Sequence, residues 1–324
     1  MRLTQADVLG LGGYVRAKRS GVWSTLTPRQ RQVVRQEEAE AVDEEKVALE
    51  QDVAQALAVL FGVTAEDIRQ AFEDGNFTLL RPETDAPDPP GSQVLEAREL
   101  LNASRFERRL RAIMSGDAPD DLPETVQQRI RDLDVSVDRI MREGFRVGLQ
   151  RMEAEGAFNP TDTLVQNAQS RLNQQAVGIA DATRRRINAI IRREQSDPSN
   201  GVEDIARILA DEVEGMGNVD GPTQSRAERI AATTVQSGFE SGQLHAMDKA
   251  GAVGRKWISQ RDGRVRPGHL EADAEGQTVR LDEVFRVSVQ RGVPREARER
   301  LEYPGDPSGS AANVIGCRCT TIPI

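Results

Sequence analysis

Apolar residues recur at three- and four-residue intervals along most of the first 250 positions, the period of amphipathic helices. Thr27-Pro28 reads as a helix start, with Thr as N-cap and Pro in the first turn. That helix enters an acidic tract, Glu37-Glu38-Ala39-Glu40-Ala41-Val42-Asp43-Glu44-Glu45, before a stripe at Val47, Ala54, Leu57 and Leu60. Gly62-Val63-Thr64 is expected to break it, with a capped restart at Thr64 carrying Ile68 and Phe72. Further helices are predicted over 93–114 (Leu95, Leu101, Phe106, Leu110, Ile113) and over 123–155 (Val126, Ile130, Leu133, Val137, Ile140, Val147). Others follow over 161–195 (Leu172, Ala176, Ile179, Ile187, Ile190), 202–213 and 223–250 (Ile230, Val235, Phe239, Leu244, Met247). Gly144 and Gly148, four apart, suit either close helix approach or ordinary packing, and His245 reads as a surface or packing histidine.

Beyond residue 254 the period changes. Strands are predicted at Trp257-Ile258, Val279-Arg280-Leu281 and Thr320-Thr321-Ile322, and a short helix over 295–301. Asp262-Gly263, Pro267-Gly268 and Pro304-Gly305-Asp306-Pro307 read as turns, around a small core of Trp257, Phe285, Val314 and Ile315. The expected fold is therefore mainly α, with an extended, multi-helix N-terminal part and a small C-terminal α+β module. Three segments are drawn: 1–92, an arm and helices with the acidic tract and a Pro-rich linker at 81–91; 93–221, the long-helix region; and 222–324, the C-terminal module. The arm, 1–21, holds Gly10, Gly12 and Gly13 and is expected to order only against a partner.

At 324 residues the chain exceeds the usual size of one core, and with 4% aromatic and 29% charged residues it suits long solvated helices. With so few aromatics, the stripes between 93 and 195 are expected to seek grooves on a partner. The net charge of −9 argues against a general DNA-coating protein. Residues 254–324 are mildly basic, with 12 Lys/Arg against 10 Asp/Glu. Arg184, Arg185, Arg186, Arg192 and Arg193 near a helix end suit the macrodipole, or else contact DNA or an acidic partner. The acidic tract is either a solvated face or a docking surface for a basic partner. No run of about eighteen uninterrupted apolar residues appears, so no membrane partner is expected. The first residues lack the apolar core of a signal peptide, which predicts a cytoplasmic product.

The candidate chemistry lies near the end. Cys317 and Cys319 as thiolates and His269 as an imidazole are ligand types for zinc, with Asp262 or Asp273 as a fourth group, although Cys-x-Cys is tighter than the usual spacing. The plainer alternative makes the cysteines small core residues and bonds His269 to Asp262 or a carbonyl. An enzyme reading has Cys317 as nucleophile, His269 as base and Asn313 or Asp262 as orienter. Another has Asp262, Arg264, Arg266 and His269 cleaving a phosphodiester.

The ordered blocks are Trp257, Asp262, Arg264, Arg266 and His269; Asp273 and Gly276; Phe285; Tyr303-Pro304-Gly305-Asp306-Pro307; and Cys317-Arg318-Cys319. From near Arg226 onward they resemble the phage Mu F-like minor head proteins, the phage head morphogenesis family. This chain departs from that pattern at Ala232, Thr234, Val265 and Gly316. The resemblance implies a structural minor head (capsid) protein of a tailed double-stranded DNA phage, not an enzyme. It would associate with the portal vertex and act in head morphogenesis, and in genome packaging or ejection. Implied partners are the portal protein, the major capsid or scaffold protein, and packaged DNA. The implied location is the capsid interior near the portal vertex, and the host cytoplasm during assembly. The alternative is a nuclease or peptidase-like enzyme carried in the head.

Overall fold

Thr27 and Gln30 close a reciprocal capping box: the Thr27 N–H donates to Gln30 Oε1 (2.9 Å) and the Gln30 N–H to Thr27 Oγ1 (3.3 Å). After a single turn, α1 (Val22–Thr25), this cap starts α2 (Pro28–Glu73) at the predicted position. The computed structural model describes residues 22–73, 103–197, 199–200, 202–219 and 224–324. The arm at 1–21, the linker at 81–91, the first part of the helix drawn over 93–114, and the segment boundaries at 92 and 221 lie outside these residues.

Helix α2 runs through Gly62-Val63-Thr64 without the expected break. An interior glycine costs only about 1 kcal/mol in a helix. Thr64 spends its hydroxyl on the Leu60 carbonyl (2.7 Å), and the stripe Leu57, Leu60, Phe61, Ala65, Ile68 stays buried across the site. Val47, placed on that stripe by sequence, is 45% exposed. This helix also holds a window apolar and long enough to cross a membrane by length and composition, as core helices do; Val53, Leu57, Leu60 and Phe61 within it are buried in the chain.

Next come α3 (Ala103–Ser115), α4 (Glu124–Leu133) and α5 (Val137–Met152). The single helix expected over 123–155 is thus two, because Asp134 turns left-handed (φ 41°) and its N–H closes on the Arg131 carbonyl. Helices α6 (Thr163–Gln195), α7 (Val202–Met216) and α8 (Arg226–Lys249) match their predicted places. The stripe residues Ile130, Val137, Ile140, Val147, Leu172, Ala176, Ile187 and Ile190 are buried within the chain, so they do not await a partner's groove.

The chain is mostly helical, with a small C-terminal strand module. In that module β1 (Gly254–Ile258) lies between β2 (Thr278–Arg280) and β5 (Thr320–Pro323), antiparallel to both, with Trp257 opposite Thr321. A second antiparallel pair joins β3 (Phe285–Val287) and β4 (Glu299–Leu301). The helix expected over 295–301 is a 3-10 turn (Arg295–Ala297) followed by β4. Pro267-Gly268, expected to be a turn, instead begins α9 (Pro267–Ala274), where the missing proline N–H is harmless in the first turn. A last turn of helix, α10 (Ala311–Val314), precedes β5. Trp257, Phe285 and Val314 are buried as expected, whereas Ile315 is 48% exposed.

Contacts divide the chain into two units. One comprises Met1–Gln51, Val137–Leu172 and Ala231–Ile324; the other comprises Asp52–Ser136 and Asn173–Ile230. In the first, α5 and α8 approach closely. A Cβ added at Gly144 would overlap the Phe239 carbonyl, one at Gly148 would lie 2.6 Å from Ala246 Cβ, and one at Gly242 would overlap the Met141 carbonyl. In the second unit, Phe61 packs on Phe106 (5.6 Å between centroids) and Arg109 binds Asp67 (2.6 Å).

Candidate functional site

The run after α10 places its side chains by simple alternation. Gly316 turns at φ 65°, and the non-helical residues that follow lead into β5. In such a run residues two apart share a face. Cys317 and Cys319 therefore point into the core, and Arg318 points away, which explains how Cys-x-Cys brings two sulfurs together.

Inside, both sulfurs meet one histidine. His269 on α9 has Nδ1 3.7 Å from Cys317 Sγ and 3.6 Å from Cys319 Sγ, and all three residues are buried. The three ligand atoms lie within 4.8 Å of one another. On the far side of the ring, His269 Nε2 is 3.1 Å from Asn313 Oδ1. Asn313 in turn bonds Glu299, whose carboxyl lies below its usual range: burial opposes this, and the Ser310 hydroxyl and amide with the Asn313 amide outweigh it. Because Asn313 gives its N–H to Glu299, its oxygen is the atom that faces His269; in the tautomer that donates from Nε2 to that oxygen, the Nδ1 lone pair faces the sulfurs.

The walls are apolar: Trp257, Ala272, Val279, Phe285, Val287 and Leu301 surround the cysteines, and Trp257 meets the His269 ring edge-on at 5.5 Å. A hydrogen bond from Cys319, aided by His269, pulls the Cys317 thiol well below its usual range against burial, while burial and the neighbouring Cys317 push Cys319 well above it. Beside His269 and Cys319 is a cavity of about 10 Å³, also lined by Arg264, Val265, Arg266, Gly316 and Arg318.

The remaining residues of the C-terminal blocks serve as fasteners. Arg318 bonds Asp262 and also Asp43 on α2, so one member of the acidic tract has its basic partner in the same chain. The Asp262 carboxyl is held below its usual range: burial works against this, and the Arg264 amide and Arg318 guanidinium prevail. Asp262 therefore does not touch His269, contrary to the expected pairing. Arg266 donates to the Ile315 carbonyl. Asp273, the other candidate fourth ligand, accepts from Ser259 (N–H 3.3 Å, Oγ 2.7 Å) and Arg261 (2.8 Å) through one oxygen, and the other oxygen is buried without a partner. Gly276 turns at φ 65°, and Phe285 lies under the Arg255 guanidinium (5.4 Å). Arg255, which sequence reasoning passed over, is fully buried on the carbonyls of Leu281, Glu283 and Glu302, and burial pushes its pKa down to about 10.

Helix α8 grips the same module. Gln236 donates to the Pro304 carbonyl (3.1 Å) and the Cys319 carbonyl (2.7 Å), and accepts from Lys46 (2.6 Å). Ser237 donates to the Gly305 carbonyl (2.6 Å), and Asp306 ties its own loop through the amides of Glu302 and Ser308. Glu240 is buried with Lys46 (3.3 Å) and accepts from the Thr321 amide and hydroxyl; burial raises its carboxyl despite Lys46. Neither Gln236 nor Glu240 stood out in sequence, since both sit on a helix among ordinary polar residues.

The basic cluster stands elsewhere, on α6 in the second unit. Arg184 pairs with Asp181 (2.9 Å), Arg193 with Glu194 (2.5 Å) and Glu212 (3.1 Å), and Arg185, Arg186 and Arg192 are exposed.

Compared with family models, curated proteins and solved structures, the chain matches none of them.

Proposed function

We propose that this chain is a structural minor head protein of a tailed double-stranded DNA phage, associated with the portal vertex and acting in head morphogenesis. One observation supports this reading over the enzyme alternative: Asp262, Arg318, Asp306 and the Pro304-Gly305 turn of the C-terminal blocks are spent on one another and on the helices packed against them. Arg318 is held by Asp43 and Asp262, Pro304 and Gly305 by Gln236 and Ser237, and Asp306 by its own loop. Such side chains define a rigid shape, and a rigid shape is what a docking or plugging part of an assembly requires. Contact with packaged DNA would fall to the exposed Arg185, Arg186 and Arg192.

The second reading, a nuclease or peptidase-like enzyme carried in the head, rests on Cys317, His269 and Asn313 standing in the order nucleophile, base, orienter. Against it, the thiol is 3% exposed and the adjoining cavity has room for about one water.

The experiment mixes the full chain with portal rings and procapsids of the same phage and follows co-sedimentation. A parallel arm incubates it with DNA and with capsid proteins, with and without chelator. Co-sedimentation at fixed stoichiometry without turnover is expected. Turnover of either substrate, or a chain that stays in the supernatant with rings and procapsids alike, overturns the proposal.

A further inference from the structure

We propose that His269 Nδ1, Cys317 Sγ and Cys319 Sγ are three ligands of a Zn²⁺ ion whose fourth, exchangeable position faces the arginine-lined cavity and takes a water or a small anion. This holds whether or not the chain is a head protein.

Distances carry the first step. Tetrahedral zinc, with sulfur at ~2.3 Å and nitrogen at ~2.0 Å, sets each S···N separation at about 3.5 Å. The observed values are 3.7 Å and 3.6 Å, within 0.2 Å of that figure, and all three ligand atoms lie within 4.8 Å of one another.

The second step is the histidine's orientation. A zinc-bound imidazole typically donates its other N–H to an acceptor that fixes ring and tautomer. Here Asn313 is that acceptor at 3.1 Å, and Glu299 fixes the amide in turn. A histidine that merely filled space would not need a buried asparagine (1% exposed) behind it.

Charge is the third step. Binding displaces one proton from each thiol to solvent, and two thiolates with Zn²⁺ sum to zero. A neutral centre suits walls made of Trp257, Ala272, Phe285 and Leu301. Zinc thus resolves the conflict of two thiols and an imidazole crowded in a dry core.

The fourth position follows from what is missing. Among the described residues the cluster has three ligands. Asp262 is committed to Arg318 and Arg264; Asp273 gives one oxygen to Ser259 and Arg261, and although its other oxygen is buried without a partner, it is not among the clustered ligand atoms. His269 and Cys319 both border the cavity of about 10 Å³, roughly one water in size. Its lining includes Arg264, Arg266 and Arg318; Arg264 and Arg318 share Asp262, Arg318 also has Asp43, and Arg266 meets a carbonyl, so three guanidinium groups against two carboxylates leave an excess of positive charge that favours an anionic occupant. Structural zinc sites are usually closed by four protein ligands, and three ligands with a neighbouring void is the open arrangement.

The test uses the full chain. Elemental analysis after purification should find about one zinc per chain. Chelation and replacement by Co²⁺ should then give visible absorption of a tetrahedral thiolate site, and added azide should shift its bands. A chain that carries no zinc and takes up no Co²⁺ overturns the site. A Co²⁺ spectrum indifferent to azide overturns the exchangeable position. Cys317→Ser and Cys319→Ser should abolish the absorption. Asn313→Leu keeps both sulfurs and removes only the orienter, so Co²⁺ should bind about 10–100-fold more weakly. Unchanged affinity in that variant overturns the role given to His269 Nδ1.

Discussion

Two histidines occur in the chain, and both are buried, but their surroundings differ in kind. His269 has a partner at each nitrogen, whereas both ring nitrogens of His245 lack a hydrogen bond. His245 lies against Phe145 (5.0 Å) and Phe158 (6.0 Å), with Asp162 3.9 Å from Nδ1 and Lys249 paired to that same Asp162 at 2.8 Å. Burial lowers its pKa below the ordinary 6.5; Asp162 and Asp248 oppose this, and Lys249 adds to it. The folded state therefore binds fewer protons than the unfolded state once the pH falls below about 7, and stability declines from there until the folded-state pKa is passed. Urea midpoints at pH 7.5 and 5.5 should show a smaller acid-induced loss in His245→Leu than in the parent chain. Taking the difference between the two proteins removes the contribution of His269, which both retain. An identical loss in each would overturn the lowered pKa assigned to His245.

At the scale of elements, glycine spacing explains more than hydrophobic pattern does. Gly144 and Gly148 on α5 lie against Phe239, Gln243 and Ala246 of α8, and Gly242 on α8 lies against the Met141 and Phe145 backbone of α5, so the two helices come within a distance that an added Cβ would disturb. Gly242→Ala should cost about 1–3 kcal/mol or more, because the atom it meets is the Met141 carbonyl and not a side chain that can rotate away. Gly62→Ala, in open space on α2, should instead gain about 0.5–1 kcal/mol. Chemical denaturation of the two variants checks both signs, and destabilisation by Gly62→Ala would contradict the continuous helix. The small-residue pair on α5 was visible in sequence, but its complement on α8 was read only as a helix with an apolar face. Legibility failed in other places for related reasons. The break at Asp134 is one left-handed residue in a good helical pattern, β3 and β4 have only three residues each, and α9 hid behind a Pro-Gly pair that also suits a turn. Within the site, His269, Cys317, Cys319 and the orienting Asn313 could be named from residue types, because rare residues at turns signal chemistry. Asp43, Lys46 and Gln236 could not, since their meaning comes from partners 68 to 275 residues away.

For the molecule as a whole, those long-range partners change what counts as a domain. The resemblance begins near Arg226 and suggested a C-terminal module that folds as a unit over 222–324. Yet the unit holding the module also takes Met1–Gln51 and Val137–Leu172. Glu240 has its cation on α2, Arg318 has Asp43 there, and the glycine face of α8 is covered by α5. A fragment of residues 222–324 would bare Phe239, Gly242 and Ala246 to water and leave Glu240 without Lys46. Removing one partner of a buried pair costs about 3–5 kcal/mol where the remaining charge stays buried, a large share of a typical domain's stability. That fragment, prepared with zinc present so that metal loss is not the cause, should therefore show no cooperative urea transition. Its only tryptophan is Trp257, fully buried in the intact chain, so its fluorescence reports the module's core directly. A sharp Trp257 transition at the midpoint of the full chain would prove the module autonomous. The expected gradual unfolding would mean that the module folds only together with helices from both earlier segments.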